Sequence, residues 1–311
     1  MPTKCLSLVR GRRIRLTRLD ACGRPIYGED SSVVSKGFIS VALTANTIES
    51  DEINVTNAAG ERCVYEPAEP SLTGYGVEIQ FCEVDPDLFS LVTGQPTVLD
   101  FDGNSIGFDV DTATSLSGSG FALELWAGSA NSDACATEGA QGSFGYLLLP
   151  FIKGGIVGDF TVENANITFT ITGGSTRDGN AWGVGPYSDI MLDDAVTPAP
   201  GPMATSISST VALRTMLTDV APPEAACGAR PLLDPDAAEL TSIAGVATGL
   251  SVDFDTTPAA SSPVYWDFGD GTWDYVAAPG DATHVYAAAG TYTARASTNG
   301  VWRTTNVTVT A

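Results

Sequence analysis

Apolar and polar residues alternate with a period of two along many short stretches of this chain, and once the spacing widens to that of a helix. In residues 12–19, Ile14 and Leu16 fall on one face and Arg13 and Arg15 on the other, which predicts a first strand with a cationic side. Cys22-Gly23-Arg24-Pro25 turns it. Residues 37–43 and 51–56 read as further strands, and residues 57–60 as a hairpin turn before 62–65. Residues 76–82 alternate most regularly, with Val77, Ile79 and Phe81 opposed to Glu78 and Gln80. Directly after them Asp85 suits an N-cap and Pro86 the first helical position, Leu88, Phe89 and Val92 form an apolar stripe, and Gly94 is placed to end the helix. Strands are then expected at 101–110, 121–126, 144–152, 160–163, 167–171 and 213–220, and the Gly-rich segment 173–186, which carries Trp182, reads as a long loop or a bulged edge.

Pro and Asp cluster without apolar periodicity over 231–238, which divides the chain into domains at 1–235 and 236–311. Beyond that break, residues 251–254, 264–268, 284–286, 292–296 and 307–309 have the number and spacing of strands in a small sandwich. Val264, Trp266 and Phe268 alternate with Tyr265 and Asp267, and Gly269-Asp270-Gly271 then supplies a tight turn. The length of 311 residues, with 33 Gly, 18 Pro and only 17% charged residues, fits two β-rich units.

Charge is unevenly spread around the formal net of −22. Seven of the fifteen basic residues lie in the first 24 positions, opposed by Asp20 alone, which leaves eight bases against thirty-six acids in the rest. So negative a field disfavours sequence-specific nucleic-acid binding. The short apolar stretch 6–9 runs into arginines and is no signal peptide, and the run 146–152 is interrupted by Pro150, so a cytoplasmic site of synthesis is expected. Six cysteines without a Cys-x-x-Cys pair argue against zinc and for buried small apolar residues, with a Cys5–Cys22 disulfide as the alternative.

The composition gives catalysis little to work with. His284 is the single histidine and sits beside the sandwich motif, so neither a Ser-His-Asp nor a Cys-His arrangement fits the larger domain, and no enzyme activity and no cofactor are expected. Asp267, Asp270 and Asp274 read either as calcium ligands on a turn or as side chains capping their own turn, and the turn reading leaves no metal site. Trp273 and Tyr275 read either as a surface platform for a sugar or as half-buried rings. Arg13 and Arg15 are candidates for subunit contacts with an acidic face on a neighbour, against a solvated edge strand.

The terminal residues resemble a PKD (polycystic kidney disease repeat) domain. The likeness rests on Trp266-Asp267-Phe268-Gly269-Asp270-Gly271-Thr272, His284-Val285-Tyr286 and Gly290-Thr291-Tyr292-Thr293, in that order. It implies an immunoglobulin-like spacer and adhesion module, with Trp266, Asp267, Phe268, Gly269, Asp270, Gly271 and Tyr292 as its core and turn motif.

Residues 1–235 resemble the major tail (tail-tube) proteins of long-tailed siphophages of actinobacteria. That likeness rests on residues 18–25 (RLDACGRP), 57–63 (NAAGERC), 81–88 (FCEVDPDL), 123–126 (LELW) and 222–228 (PPEAACG). The expected fold is all-β: a tail-tube β-sandwich or barrel with one short helix at about 85–93, then the small PKD sandwich. The resemblance implies a structural virion protein assembled in the host cytoplasm. Its copies would stack as hexameric rings into a tube that passes double-stranded DNA. Tape-measure, tail-terminator and distal-tail proteins would be its partners, and the added domain, displayed outside, could meet host glycans. Carboxylates facing such a lumen would repel DNA phosphates, while simple solubility is the plainer reason for the acidity. The other functional class open to the sequence is a cell-surface adhesion or polysaccharide-binding protein that works through the PKD module.

Overall fold

A computed structural model describes residues 8–83, 85–101, 103–114, 120–129, 144–160, 168–177 and 189–310. Cys5, Cys135, Trp182 and positions 161–163 and 167 lie outside them, and with them the Cys5–Cys22 pairing and most of the strand expected at 160–163.

β1 (Leu8–Leu19) turns back into β2 (Gly28–Ser35), and β3 (Phe38–Glu49) follows at once. The turn after β1 is tied by Asp20, whose side chain accepts from the backbone N–H groups of Cys22 and Arg24. β4 (Ile53–Thr56) and β5 (Arg62–Glu66) form a separate hairpin between β3 and β6 (Pro70–Phe81). Helix α1 (Pro86–Thr93) begins on Asp85, which accepts from the N–H groups of Asp87 and Leu88, and ends on Gly94 at φ 71°. Leu88, Phe89, Leu91, Val92 and Thr93 are buried, two residues more than the expected stripe.

β7 (Thr97–Leu99) and β8 (Ser105–Phe108) make another small hairpin. β9 (Gly120–Ser129), β10 (Phe144–Lys153), β11 (Ile156–Val157) and β12 (Phe169–Thr176) follow. Then come β13 (Met191–Leu192), β14 (Pro200–Gly201), β15 (Arg214–Thr218) and β16 (Arg230–Leu232). The main sheet runs in the order β16-β2-β1-β9-β10-β12-β6-β3, with β11 on β12 and β15 on β10. Every described pairing in it is antiparallel, and it stays open, so of the two expected shapes the closed barrel does not form.

Both faces of this sheet are covered. On one, Ile14, Leu16, Val77, Ile79, Phe81, Leu123 and Leu149 pack against α1. On the other, Leu19, Trp126, Tyr146, Leu148 and Phe151 pack beneath Ile190, Met203 and Ile207 from the irregular segment before β15. Each fully buried aliphatic or aromatic side chain stabilises the fold by roughly 1.5–3 kcal/mol.

The smaller domain has seven strands, two more than its periodicity suggests. β17 (Ser242–Thr248), β18 (Ser251–Thr257) and β21 (Ala282–Val285) form one sheet. β19 (Val264–Asp267), β20 (Trp273–Val276), β22 (Gly290–Ser297) and β23 (Arg303–Val309) form the other, in the order β20-β19-β22-β23. The extra strands are β17, whose inward positions include Gly245, and β20, which follows the tight turn. Val252, Phe254, Trp266, Phe268 and Tyr286 fill a core of their own, separate from both cores of the larger domain.

Cys22, Cys63, Cys82 and Cys227 are free and exposed, contrary to the expected burial. They lie in turns, in a connecting segment and on the solvated β4–β5 hairpin, and none occupies an inward strand position.

Candidate functional site

Arg15 is buried within its own chain. Cross-strand register sets it opposite Glu124 in β9, and its side chain is only 5% exposed. Nε donates to Glu124 Oε2 at 2.6 Å and Nη2 to Oε1 at 2.9 Å, a bidentate pair. Tyr146 donates its hydroxyl to the same Oε1 at 2.6 Å, and Arg15 Nη1 reaches Asp189 at 3.0 Å. The guanidinium also lies 5.1 Å from the Trp126 ring centroid.

Burial pushes the Glu124 carboxyl above its ordinary range, with the charge and hydrogen bonds of Arg15 and the Tyr146 hydroxyl opposing it. Burial likewise drives the Tyr146 phenol well up, reinforced by the Glu124 charge. Arg13, one position along the same face, sits across from Trp126 and is half-buried, with Nε lacking a hydrogen-bond partner. The Arg15 part of the expected cationic face is therefore the floor of an internal polar network with Glu124, Tyr146 and Asp189. Arg10, Gly11 and Arg12 are the exposed positions among the described residues of this strand.

The turn after β19 is built by its own side chains. Asp267 accepts from Gly269 N–H, and Asp270 accepts from both the N–H and the hydroxyl of Thr272. Gly269 has φ +80°, and a Cβ there would run into the Thr293 carbonyl, so glycine is required. Asp270 also meets His284 Nε2 at 2.9 Å, and the imidazole lies flat on Phe268 at 4.1 Å. Burial raises the Asp270 carboxyl, but the bonds from Thr272 and His284 outweigh it and hold the group below its usual value.

The other two carboxylates are committed elsewhere: Asp267 to Arg295, and Asp274 to the N–H of Tyr275. Among the described residues, no group of three His, Cys, Asp or Glu could hold a metal. Trp266 is fully buried and donates Nε1–H to the Gly280 carbonyl at 2.8 Å. Gly271 lies at the exposed tip, and Tyr292 is half-buried, stacked on Tyr286 at 4.1 Å.

Trp273 and Tyr275 stand on the outer face of β20, and this face turns toward the larger domain. Arg230 of β16 lies over the Trp273 ring at 4.9 Å and donates to the Tyr265 hydroxyl at 3.3 Å. The Tyr275 phenol is raised by burial and then by Glu29 and Asp234. Between the domains runs a cleft of about 850 Å³, with Tyr265, Trp302, Arg295 and Asn299 on one wall and Arg230, Leu232 and Pro223 on the other. Neither the cleft nor Trp302 is marked by any periodicity in the sequence.

The second distinctive surface is an arm. β3 and β6 pair from Phe38–Phe81 out to Glu49–Pro70, and β4–β5 continue beyond that point. From Asn46 to Leu72 every residue is exposed. Ile48 and Leu72 are 60% and 56% accessible, and Ile53, Val55, Val64 and Tyr65 are similarly open. Glu49, Asp51, Glu52, Glu61, Glu66 and Glu69 face a single basic residue there, Arg62. β3 is also the outer edge of the sheet and carries no Lys or Pro along its length.

No curated protein matches the chain. A family model does: residues 238–310 match the PKD domain, the span of the seven-stranded sandwich, and this points to an extracellular or adhesion-like module.

Proposed function

We propose that this chain is a structural virion protein, a major tail protein whose copies polymerise as stacked hexameric rings into the tube through which phage DNA passes. The observation that carries the proposal is the β3–β6 arm. A two-stranded ribbon with aliphatic residues open on both faces is marginal in water and gains its stability by packing on something else. It continues into an edge strand whose one charged residue is the terminal Glu49, and which offers unpaired N–H and C=O groups to another chain. A second copy satisfies both features and repeats them, which is the geometry of open-ended assembly. The motif likeness of residues 1–235 supplies the ring number and the DNA passage.

In this reading the PKD module is displayed on the tube exterior, the protein works in the virion after assembly in the host cytoplasm, and tape-measure, terminator and distal-tail proteins are its partners. Catalysis has no part in this reading, in keeping with a composition that holds a single histidine. The alternative, an adhesion or polysaccharide-binding protein, draws on the aromatic cleft beside the PKD module.

Negative-stain electron microscopy of the purified chain separates the two. Long sixfold tubes support the first reading, and monodisperse particles that bind cell walls replace it with the second.

A further inference from the structure

The cleft between the domains has the makings of a ligand site that tube formation does not use. Its volume of about 850 Å³ lies within the usual range for pockets that bury small ligands, and domain junctions are a common place for them. Its charges balance: Arg15, Arg230 and Arg295 are matched by Asp189, Glu224 and Asp267. A balanced lining within a chain of net charge −22 favours neither a polyanion nor a polycation.

What the cleft offers is a set of fixed donors and acceptors beside aromatic rings. Arg295 donates Nε and Nη2 to Asp267 Oδ2 at 3.0 and 2.9 Å, which holds its fork rigid and leaves the second terminal nitrogen for a ligand oxygen. The same guanidinium lies over the Trp302 ring at 4.7 Å, and Trp302 meets Tyr265 edge to face at 5.6 Å. Asn299 is held by its amide nitrogen on the Ala237 carbonyl and by its oxygen on the Val301 N–H. Each of these groups is positioned before any ligand arrives, so little side-chain freedom is lost on binding.

We propose that this cleft binds a neutral oligosaccharide, with Trp302 and Tyr265 against the C–H faces of a sugar ring and Asp267, Arg295 and Asn299 on its hydroxyls. A pyranose ring has apolar faces and a rim of groups that both donate and accept, which is the chemistry that this wall complements. The proposal goes beyond the tube reading and does not depend on it, since the arm and the β3 edge lie on other elements.

The test uses the full chain, with chitohexaose, cellohexaose and maltohexaose as neutral probes and a hyaluronan hexasaccharide as the anionic one. Binding is followed by saturation-transfer NMR and by tryptophan fluorescence. At least one neutral probe is expected to bind saturably with Kd below about 1 mM, and Trp302→Ala and Arg295→Ala each to weaken it tenfold or more. Circular dichroism checks that the variants fold; if Trp302→Ala does not, Asn299→Ala and Arg295→Lys take its place, with a loss of threefold or more expected. Three results overturn the proposal: no saturable binding of any neutral probe, binding unchanged in the variants, or tighter binding of the anionic probe. Tube formation is scored separately, so its failure and the failure of saccharide binding are distinct outcomes.

Discussion

Arg15 and Glu124 face each other directly across β1 and β9, joined by two hydrogen bonds of 2.6 and 2.9 Å with both side chains almost wholly out of water. Removing either member strands a buried charge. Arg15→Met or Glu124→Leu is expected to destabilise the larger domain by about 3–5 kcal/mol, and the double replacement by much less than the sum. Denaturant unfolding of the two single variants and the double variant checks this.

The same pair sets a pH dependence. Burial raises the Glu124 carboxyl, and Arg15 is the chief force opposing that rise. A carboxyl whose folded-state pKa is raised contributes stability that is present below the unfolded value, about 4.3, and is lost as pH rises through the folded value. In Arg15→Met this rise is larger, so the variant should gain more stability than wild type through this group on going from pH 7 to pH 5. Unfolding midpoints at the two values, compared between wild type and variant, decide it.

Asp270 behaves in the opposite sense. Its carboxyl is held low by Thr272 and His284 against the effect of burial, so its contribution is present above the unfolded value of about 3.9 and is lost as pH falls through the folded value. Asp270→Asn should remove that acid-side loss from the smaller domain, at a cost near neutral pH of about 1 kcal/mol or less. A thermal melt series from pH 7 to pH 3 measures both.

The core of the smaller domain lies wholly within positions 240–309. A fragment of residues 237–311 is therefore expected to fold alone, and Trp266→Ala to cost it about 3–5 kcal/mol. Trp266→Phe, which keeps a ring but loses the bond to Gly280, should cost less. Urea titration of the fragment followed by fluorescence gives the values, and a fragment without a cooperative transition would refute domain independence.

Ser50 and Glu69 close the base of the β4–β5 extension through two hydrogen bonds, 3.2 Å from Ser50 N to the Glu69 carbonyl and 2.9 Å from Glu69 N to the Ser50 hydroxyl. Replacing residues 51–68 by Asn-Gly should keep the main sheet intact and lower its melting temperature by no more than about 4 °C. If the arm joins copies, this variant should stay monomeric in sedimentation under conditions where the full chain assembles. Assembly unchanged by the deletion would remove the arm from the interface.

Much of the local structure was legible because its causes are local. Asp85, Pro86 and Gly94 mark the helix ends through capping chemistry that involves only a few neighbours. The alternation of Val77, Ile79 and Phe81 predicts a strand with one apolar face, and all three are buried. Gly269-Asp270-Gly271 marks its turn because φ above zero there excludes other residues. The weaker strands β17 and β20 were not legible, since β17 carries Gly245 at an inward position and β20 has no fully buried residue to mark an apolar face.

The sequence by itself determined that Ile14 and Leu16 share one face of β1 and Arg13 and Arg15 the other, because side chains in a strand alternate whatever lies around them. Which of those faces meets solvent was a matter for the tertiary structure. Asp189 and Ile190, far along the chain, close over the arginine side, and Arg230 closes over Trp273 in the same way. Burial of a strand's second face depends on segments whose placement no local period encodes, and that is why the polar network and the junction cleft emerge only once the chain is folded.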